Sequence, residues 1–252
     1  EIWGYQVEGL FKTDAEAAEY QAKINDRAVN NSVYSCGVAA LAKLKAGDVK
    51  FVDRNGDGVI NTDENTVGKP GDRYIIGNSL PRYTYSFRGD IDWYGFNLSV
   101  FFQGVGHCDW MPPTKCSYFW SLYGFPASSF VPTDFESKTW TEDRRNAYFP
   151  RRRGYTTYSG SALGVNTDRY LQNAAYIRLK NITLGYTLPI KQNKAVEKVR
   201  IYATGENLWY WSPMKRHSKY IDPEVATASS NQSDDCIYPF SRTVSLGIDI
   251  TF

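Results

Sequence analysis

Long apolar runs are missing from this chain of 252 residues, which holds no stretch of about 18 consecutive apolar residues. Because a helix needs a run of that length to cross a bilayer, the sequence contains no candidate transmembrane helix. A transmembrane β-barrel stays open, since each of its strands needs about 9–11 residues of alternating character. No signal peptide follows Glu1, so the chain is either cytosolic or lacks an earlier segment that was removed or is missing.

Residue types that carry out chemistry are also scarce. The two histidines, His107 and His217, lie far apart, and no nucleophile elbow, zinc-protease or phosphate-loop motif occurs. The four cysteines show no metal-ligand spacing. Cys108 and Cys116 are close enough for a short disulfide in an oxidising compartment, although all four can equally be thiols. The sequence therefore predicts no catalytic residues and no enzyme.

Charge is nearly balanced, with 29 basic and 27 acidic side chains and a formal net charge of +2. This balance gives no electrostatic basis for binding nucleic acid, which needs clustered Lys and Arg. The unusual feature is an aromatic content of 15%, made of 19 Tyr, 13 Phe and 7 Trp. A soluble enzyme can have this composition, and so can a membrane barrel, whose aromatic residues form interfacial girdles around a polar lumen.

The first 103 residues predict one short helix and one long hairpin. Thr13 or Asp14 caps the helix, which is rich in alanine and ends near residues 24–25. From residue 83 to 103, apolar and polar residues alternate on both sides of Tyr94-Gly95. Alternation interrupted by such a dipeptide is typical of two strands joined by a tight turn.

The second half of the chain predicts a further hairpin over residues 174–207 and a last strand from Val244 to Phe252. In the hairpin, the alternation shifts by one residue around Lys180-Asn181, which indicates a β-bulge. Residues 189–198 form its polar turn. The last strand alternates without interruption to the final residue of the sequence.

Long irregular segments separate these hairpins, at residues 107–169 and 208–241. Loops longer than about 12–15 residues are uncommon in compact soluble domains. The two segments of this chain are rich in Trp, Tyr, Pro and Arg, which argues against their being disordered. Short turns at one end of the strands and long loops at the other are typical of an outer-membrane barrel, whereas a β-sandwich has more even turn spacing.

Several segments in a fixed order carry a resemblance to a known family. They are Gly47–Asn61, Ile76–Tyr83, Tyr94–Gly104, Tyr170–Asn181, Thr204–Leu208, Asp222–Val225 and Thr243–Phe252. Each segment is weakly specific by itself, but together they span nearly the whole chain. In this order they resemble the C-terminal part of SusC/RagA-type TonB-dependent transporters.

The resemblance implies an all-β fold for residues 1–252: the C-terminal strands of a large antiparallel transmembrane β-barrel, of about 22 strands, with long extracellular loops. It implies import of oligomeric nutrients, glycans foremost and peptides in some branches, across the cell outer membrane. The implied partners are a SusD-like surface lipoprotein and TonB, which acts through an N-terminal part absent from this sequence. Five strands cannot close such a barrel, so we expect a portion of a larger transporter.

A different class of function explains some of the same features. A secreted, calcium-stabilised carbohydrate-binding β-domain would also need loop aromatics and a calcium loop. The two hypotheses differ in the apolar faces of the predicted strands, which contact lipid in a barrel and a packed core in a soluble domain. The exposure of those faces is therefore the discriminating observation.

One loop, residues 53–64, matches the twelve-residue calcium loop of EF-hands. The matching ligand positions are Asp53, Asn55, Asp57, Val59 through its carbonyl, Asn61 and Glu64. Gly58 supplies the sharp turn, but no helix is predicted before the loop, so the ion would be structural rather than a switch. The alternative is a Gly/Asp turn that needs no ion.

Aromatic residues in the long loops are candidates for substrate contact, because sugar rings stack on indole and phenol faces. Those predicted to contact substrate are Trp110, Tyr118, Trp120 and Tyr123. Trp209 and Trp211, at a strand exit, fit a membrane-interface girdle better. The apolar end of the last strand, Ile248, Ile250 and Phe252, resembles the signal read by the barrel-insertion machinery.

Five arginines are concentrated within ten residues of a long loop. They are Arg144, Arg145, Arg151, Arg152 and Arg153. Such a cluster could contact lipopolysaccharide phosphates, a lid protein or an acidic substrate. Ordinary salt bridging within the loop is the alternative.

Overall fold

The computed structural model describes residues 1–24, 43–124, 129–153, 162–190, 196–228 and 239–252. The strands are β1 Ile2–Tyr5, β2 Val7–Leu10, β3 Val49–Phe51, β4 Arg73–Gly77, β5 Tyr83–Trp93, β6 Phe96–His107, β7 Asp109–Trp110, β8 Gln172–Asn173, β9 Tyr176–Thr187, β10 Lys198–Trp211 and β11 Thr243–Thr251. The α-helices are α1 Asp14–Lys23, α2 Ser117–Trp120, α3 Phe135–Lys138 and α4 Pro223–Ala228. Within these residues, every helix is too short or too polar to cross a bilayer.

The chain divides into two compact units. The loop unit consists of residues 1–79 and 109–172, and the sheet unit of residues 80–108, 173–228 and the last strand. Two small antiparallel pairs, β1 with β4 and β2 with β3, belong to the loop unit. The long strands form one five-stranded antiparallel sheet in the order β11-β10-β9-β6-β5.

Helix α1 confirms the predicted cap and length. The Thr13 Oγ1 accepts a hydrogen bond from the backbone N–H of Glu16, and the Glu16 carboxylate accepts one from the N–H of Lys12. This reciprocal arrangement satisfies donors that the first helical turn leaves without a partner. The helix ends at Lys23, followed by Ile24 in an extended conformation.

The first hairpin turns at Tyr94-Gly95, as the sequence predicts. Both residues have positive φ, 45° for Tyr94 and 87° for Gly95. Two consecutive residues of positive φ make the kind of turn whose twist matches that of the flanking strands. The turn therefore fixes the register in which Trp93 pairs with Phe96.

The second hairpin contains the predicted bulge. Along β6, Phe101 pairs with Asn181 and the next residue pairs with Leu179, so Lys180 is the extra residue in β9. Strand β10 continues to Trp211, four residues beyond the predicted strand end, because a second irregularity at Asn207, which has a φ of 52°, absorbs the change of register. Residues 191–195 of the predicted turn lie outside the described residues.

An aromatic cluster forms the core of the loop unit. The rings of Phe149 and Tyr170 stack at 6.1 Å with an interplanar angle of 11°, and Trp120 meets Tyr170 edge-on at 5.1 Å. Edge-on and offset contacts of this kind stabilise aromatic cores beyond the effect of burial. Cys108 and Cys116 are both buried and form no disulfide with each other. Cys36 and Cys236 lie outside the described residues.

Candidate functional site

The register of the sheet places apolar residues in rows across all five strands on one face. One row runs Ile91, Leu98, Leu184, Ala203 and Leu246, through successive pairings from β5 to β11. A parallel row contains Trp93, Phe96, Tyr186, Ile201 and Ile248. Because strand residues alternate between faces, the long-range pattern of the sequence becomes a continuous apolar surface.

This apolar surface is exposed. In β11, Leu246 is 83% exposed and Ile248 is 64% exposed, while Ile91 in β5, at the opposite edge, is 61% exposed. Soluble proteins rarely expose a contiguous apolar patch larger than a few hundred Å². A face of this extent fits lipid contact and argues against the secreted β-domain, in which the same residues would be packed into a core.

The opposite face of the sheet is polar. A row on this face contains Asp90, Ser99, Thr183, Thr204 and Ser245. The hydroxyls of Thr183 and Thr204 lie 3.0 Å apart across the strands. Apolar and polar rows on opposite faces are the pattern of a barrel wall with lipid outside and a wet lumen inside.

Glycines on the polar face make room for large side chains. A Cβ at Gly247 would lie 2.3 Å from the Tyr202 ring, and one at Gly185 would lie 2.5 Å from the Asn97 amide oxygen. Arg200 donates to that same Asn97 oxygen and lies 3.4 Å from the Asp249 carboxylate. The Tyr202 ring thus lies across Gly247 and the Arg200 guanidinium lies across Gly185. A methyl group at either glycine would displace the side chain that covers it.

The predicted girdle and assembly residues lie on exposed positions of the sheet unit. Trp209 and Trp211, two residues apart on β10, are 49% and 56% exposed. At the end of the chain, Ile248 and Ile250 face the same side, and Phe252 is 82% exposed. Their accessibility is compatible with both predicted roles, which stay predictions.

A buried ionic cluster ties β9 to the segment after β10. The Arg178 guanidinium, 1% exposed, donates to the fully buried Asp222 carboxylate, and its Nε lies 2.9 Å from Glu224 Oε2. Lys180 Nζ lies 2.6 Å from the other Glu224 oxygen. The ring of Tyr210 lies 4.7 Å from the guanidinium carbon of Arg178. Sequence reasoning recognised the Asp222-Pro223-Glu224 segment but not this ion pairing.

The calcium-loop segment is a chain of tight turns. Asp53 accepts from the N–H groups of Gly56 at 2.7 Å and Gly58 at 2.8 Å, and Asp57 accepts from Val59 at 2.7 Å. These carboxylates therefore accept hydrogen bonds from backbone N–H groups of their own loop. Glu64, the predicted last ligand, instead pairs with Lys69. Among the described residues, no three His, Cys, Asp or Glu side chains group as a metal site.

A residue outside the motif closes this loop. The Asp72 carboxylate is fully buried and accepts from the N–H groups of Arg54 at 2.7 Å, Asn55 at 3.4 Å and Asn61 at 3.0 Å. Burial raises the pKa of Asp72, and these three hydrogen bonds oppose the increase. Sequence reasoning missed Asp72 because it stands eight residues beyond the last position of the motif.

Most of the predicted substrate-contact aromatics are core residues. Trp110 is 7% exposed, Trp120 1% and Tyr123 0%. Tyr123 donates to the Pro150 carbonyl at 2.5 Å, and Trp120 Nε1 donates to the Pro113 carbonyl at 2.9 Å. These rings present no free face to a ligand, and their observed role is to pack the core of the loop unit. Tyr118 remains partly exposed and packs on Phe130 at 5.0 Å.

The arginine cluster mostly makes contacts within the loop unit. Arg144 donates to backbone carbonyls, Arg152 pairs with Glu136 at 2.8 Å, and Arg153 pairs with Asp48 at 2.8 Å. Burial raises the pKa of the Asp48 carboxyl to about 6, although the Arg153 guanidinium lowers it. Salt bridges therefore account for Arg152 and Arg153, and hydrogen bonds to backbone carbonyls account for Arg144.

Comparison with known proteins adds a second line of support. No family model matches the chain. It is 27% identical over 220 residues to TonB-dependent receptor P26 of Formosa agariphila, 26% identical over 218 residues to TonB-dependent receptor P3 of the same organism, and 26% identical over 211 residues to TonB-dependent receptor SusC of Bacteroides thetaiotaomicron. These alignments cover 82%, 82% and 80% of this chain.

Comparison of the fold with solved structures also points to TonB-dependent transport proteins of the RagAB kind. Structures described as the RagAB peptide transporter, and as the RagAB peptide importer in its 'open-open' state, superpose on 99% of the chain with TM-scores of 0.56 and 0.55, at 18% identity. The chain is similar in sequence to TonB-dependent receptors and similar in fold to the RagAB transporter. The order of its motifs is consistent with the C-terminal barrel part of such receptors, which stays a prediction. Its fold is that of a transmembrane barrel wall, and its location is the outer membrane.

The chain spans about one fifth of the length of the curated relatives it matches, 20%, 19% and 17%. In the solved structures it covers 22% of the matched chain. The curated relatives are receptors by name and the solved structures are named as a transporter, in line with the expectation drawn from the chain's lack of a catalytic motif.

Proposed function

We propose that the protein to which this chain belongs imports oligomeric nutrients across the outer membrane, glycans being the substrate class. The observation that carries the proposal is the exposed apolar surface of the sheet, backed by a polar face with fixed ionic and hydroxyl groups. That arrangement suits the wall of a lipid-embedded, water-filled barrel. TonB would supply the energy, and a SusD-like surface lipoprotein would cover the extracellular side.

The relatives support TonB-dependent import more strongly than they support glycans as the imported substrate. Three curated matches carry TonB-dependent receptor in their names, and one is SusC itself. The solved neighbours are named as a peptide transporter, which makes peptides the second substrate class to be tested. The mixture of acidic and basic side chains around cavities of the loop unit favours ligands that both donate and accept hydrogen bonds, as sugars do.

The test is uptake by the native bacterium. Cells with the complete receptor gene, cells lacking it, and cells lacking TonB receive fluorescently labelled oligosaccharides or labelled peptides. We expect oligosaccharide uptake that needs both genes, and a further deletion of a neighbouring SusD-like lipoprotein gene should reduce it. Uptake that is unchanged without the receptor would refute the transport function, and uptake of peptides alone would refute the glycan assignment.

We also propose that the loop at residues 53–64 binds Ca²⁺ as a structural staple. The spacing of Asp53, Asn55 and Asp57 in the sequence, which matches the calcium loop, supports this. Binding would require the Glu64 carboxylate to leave Lys69 and contact the ion. Asp57→Ala in the intact receptor should lower its calcium content, measured by mass spectrometry after dialysis. Asp143→Ala is the control, and equal calcium in both variants would sink the assignment.

The end of β11 is proposed as the signal for barrel assembly. Deletion of residues 248–252 from the intact receptor should abolish its insertion, measured as heat-modifiable protein in the outer-membrane fraction. Trp209 and Trp211 are proposed to lie at the membrane interface, where their indole N–H groups meet the headgroups. Normal assembly of the truncated receptor would count against the first of these roles.

A further inference from the structure

Two adjoining cavities of the loop unit share a pair of cations. The larger cavity, about 490 Å³, and the smaller one, about 290 Å³, are both lined by Lys12 and Arg145. Lys12 lies immediately before the cap of α1, and Arg145 follows the tight turn at Glu142-Asp143. The same two side chains thus stand at the junction of one extended groove.

Neither cation forms an ion pair with a carboxylate in the described part of the chain, although the charge of Lys12 helps to lower the pKa of the nearby Glu16 carboxyl. Arg145 donates through Nε to the Glu142 backbone carbonyl at 3.1 Å, and no carboxylate within the described ranges pairs with its guanidinium or with the Lys12 ammonium. The acidic residues of the larger cavity are already engaged, because Lys50 Nζ lies 3.1 Å from Glu8 and 3.3 Å from Glu16. The groove therefore offers positive charge that the protein does not neutralise.

Acidic groups of the smaller cavity do not cancel this charge. Asp14 accepts the backbone N–H of Ala46 at 2.7 Å, and the exposed Glu142 stands beside Arg145. Arg151 adds a further cation, whose guanidinium carbon lies 5.8 Å from the centre of the Trp140 ring. The lining of the smaller cavity thus holds three cations, Lys12, Arg145 and Arg151, against two carboxylates, Asp14 and Glu142.

A buried hydrogen-bond donor lines the smaller cavity. Trp140 is 7% exposed, and its indole Nε1 is buried without a hydrogen-bond partner in the described part of the chain. A donor buried in this way costs free energy unless a partner arrives. The indole is fixed in position, because it packs against Gly47, where a Cβ would lie 2.5 Å from the ring. The site therefore combines two unpaired cations with one donor that lacks an acceptor.

We propose that this groove binds an acidic oligosaccharide, with the carboxylate of a sugar acid between Lys12 and Arg145 and a ring oxygen or hydroxyl accepting from Trp140. The inference deepens the proposed import function by naming the substrate class of one site. A saccharide fits better than an acidic peptide, because the lining is mostly charged side chains of both signs. Sugar hydroxyls satisfy such groups as donors and acceptors, whereas a peptide needs apolar pockets for its side chains.

The test measures binding to the purified full-length receptor in detergent. The probes are oligogalacturonate, the same oligomer as its methyl ester, and oligoglutamate, each titrated by calorimetry. We expect oligogalacturonate to bind at least about tenfold more tightly than its ester, since one charge-assisted hydrogen bond accounts for about a factor of ten. Raising the salt concentration should weaken this binding, because both cations are exposed.

Variants locate the effect. Lys12→Gln with Arg145→Gln should reduce oligogalacturonate affinity by about tenfold or more. The matched control, Lys23→Gln with Arg152→Gln, removes the same charges from exposed pairs outside both cavities and should change nothing. Trp140→Phe should weaken binding of the acid while a thermal unfolding scan verifies folding.

The outcomes separate this inference from the import function. Equal affinity for acid and ester, or unchanged binding in the Lys12 and Arg145 variant, overturns the acidic site even if neutral glycans are imported. Tighter binding of oligoglutamate overturns the saccharide assignment. Binding of oligogalacturonate that depends on these residues, in cells that take up no oligomer, keeps the site and refutes the import function.

Discussion

Neutralising Asp222 is the sharpest test of how the sheet unit holds the segment after β10. Asp222→Asn keeps the size of the side chain and removes its charge. The wild-type cluster has two cations, Arg178 and Lys180, and two carboxylates, Asp222 and Glu224, so its net charge is zero. The variant leaves one uncompensated positive charge beside a guanidinium that is 1% exposed.

Breaking a buried ion pair by removing one partner costs about 3–5 kcal/mol. The lower end applies here, because Glu224 still lies 2.9 Å from Arg178 Nε and the Tyr210 ring still faces the guanidinium. Asp222 also accepts the N–H of Glu224 at 3.1 Å, at the start of α4, and an asparagine oxygen retains that bond. We therefore expect Asp222→Asn to destabilise this segment by about 3 kcal/mol, and nearly all of this cost comes from the lost charge.

Hydrogen exchange on the intact receptor measures this cost locally. Residues 212–228 should exchange roughly 100-fold faster in Asp222→Asn, because about 3 kcal/mol corresponds to two powers of ten in the opening equilibrium. Asp90→Asn is the matched control, since Asp90 pairs with Arg88 at 2.9 Å on the exposed surface of β5. Equal protection of the segment in wild type and Asp222→Asn would refute the reasoning.

Three further predictions concern the two units separately. Leu246→Arg should destabilise the folded receptor by about 2–4 kcal/mol in lipid, seen as a lower melting temperature in liposomes, whereas a water-facing site would tolerate it. Gly247→Val should cost about 1–3 kcal/mol through collision with the Tyr202 ring, and adding Tyr202→Ser should restore stability. Burial raises the pKa of Asp48 to about 6 despite the nearby Arg153. The contribution of Asp48 to the free energy of unfolding should therefore be full below about pH 4 and be lost as the pH rises through 6. Asp48→Asn should remove this pH dependence of stability, measured by unfolding scans at several pH values.

Each of these predictions has a contrary outcome. Unchanged melting of Leu246→Arg in liposomes would mean that the apolar surface does not contact lipid. If Tyr202→Ser fails to rescue Gly247→Val, the collision is not the cause of the loss. A pH slope that persists in Asp48→Asn would assign it to another group of the loop unit.

The strands were predictable because their information is local. Alternation fixes which residues share a face, the Tyr94-Gly95 turn fixes the register of its hairpin, and the shift at Lys180-Asn181 marks the bulge. The helix cap at Thr13 was equally readable, because capping depends on a few neighbouring residues. Lys180 is confirmed as the bulged residue.

The contacts inside the loop unit and the ionic cluster were not predictable, because they join residues far apart in the sequence. Arg178 meets Asp222 across 44 positions, and Asp48 meets Arg153 at 2.8 Å from the other end of the loop unit. Loop aromatics carried an ambiguous signal, since a ring that stacks on sugar and a ring that fills a core have the same composition. Burial decided for the core at Trp120 and Tyr123.

Because Asp72 closes the turn-rich loop, residues 54–72 form a self-contained segment. The segment begins at Arg54 and ends at Asp72, and its two ends are joined because the Arg54 N–H donates to the Asp72 carboxylate. The N–H of Asn61, in the middle of the segment, donates to the same carboxylate. Ile60, fully buried, fastens the segment to the core beneath. A segment whose ends are joined by its own side chain can be exchanged between related receptors as a cassette. Its tip, residues 62–70, is then the place where length and sequence can change while the frame around it stays the same.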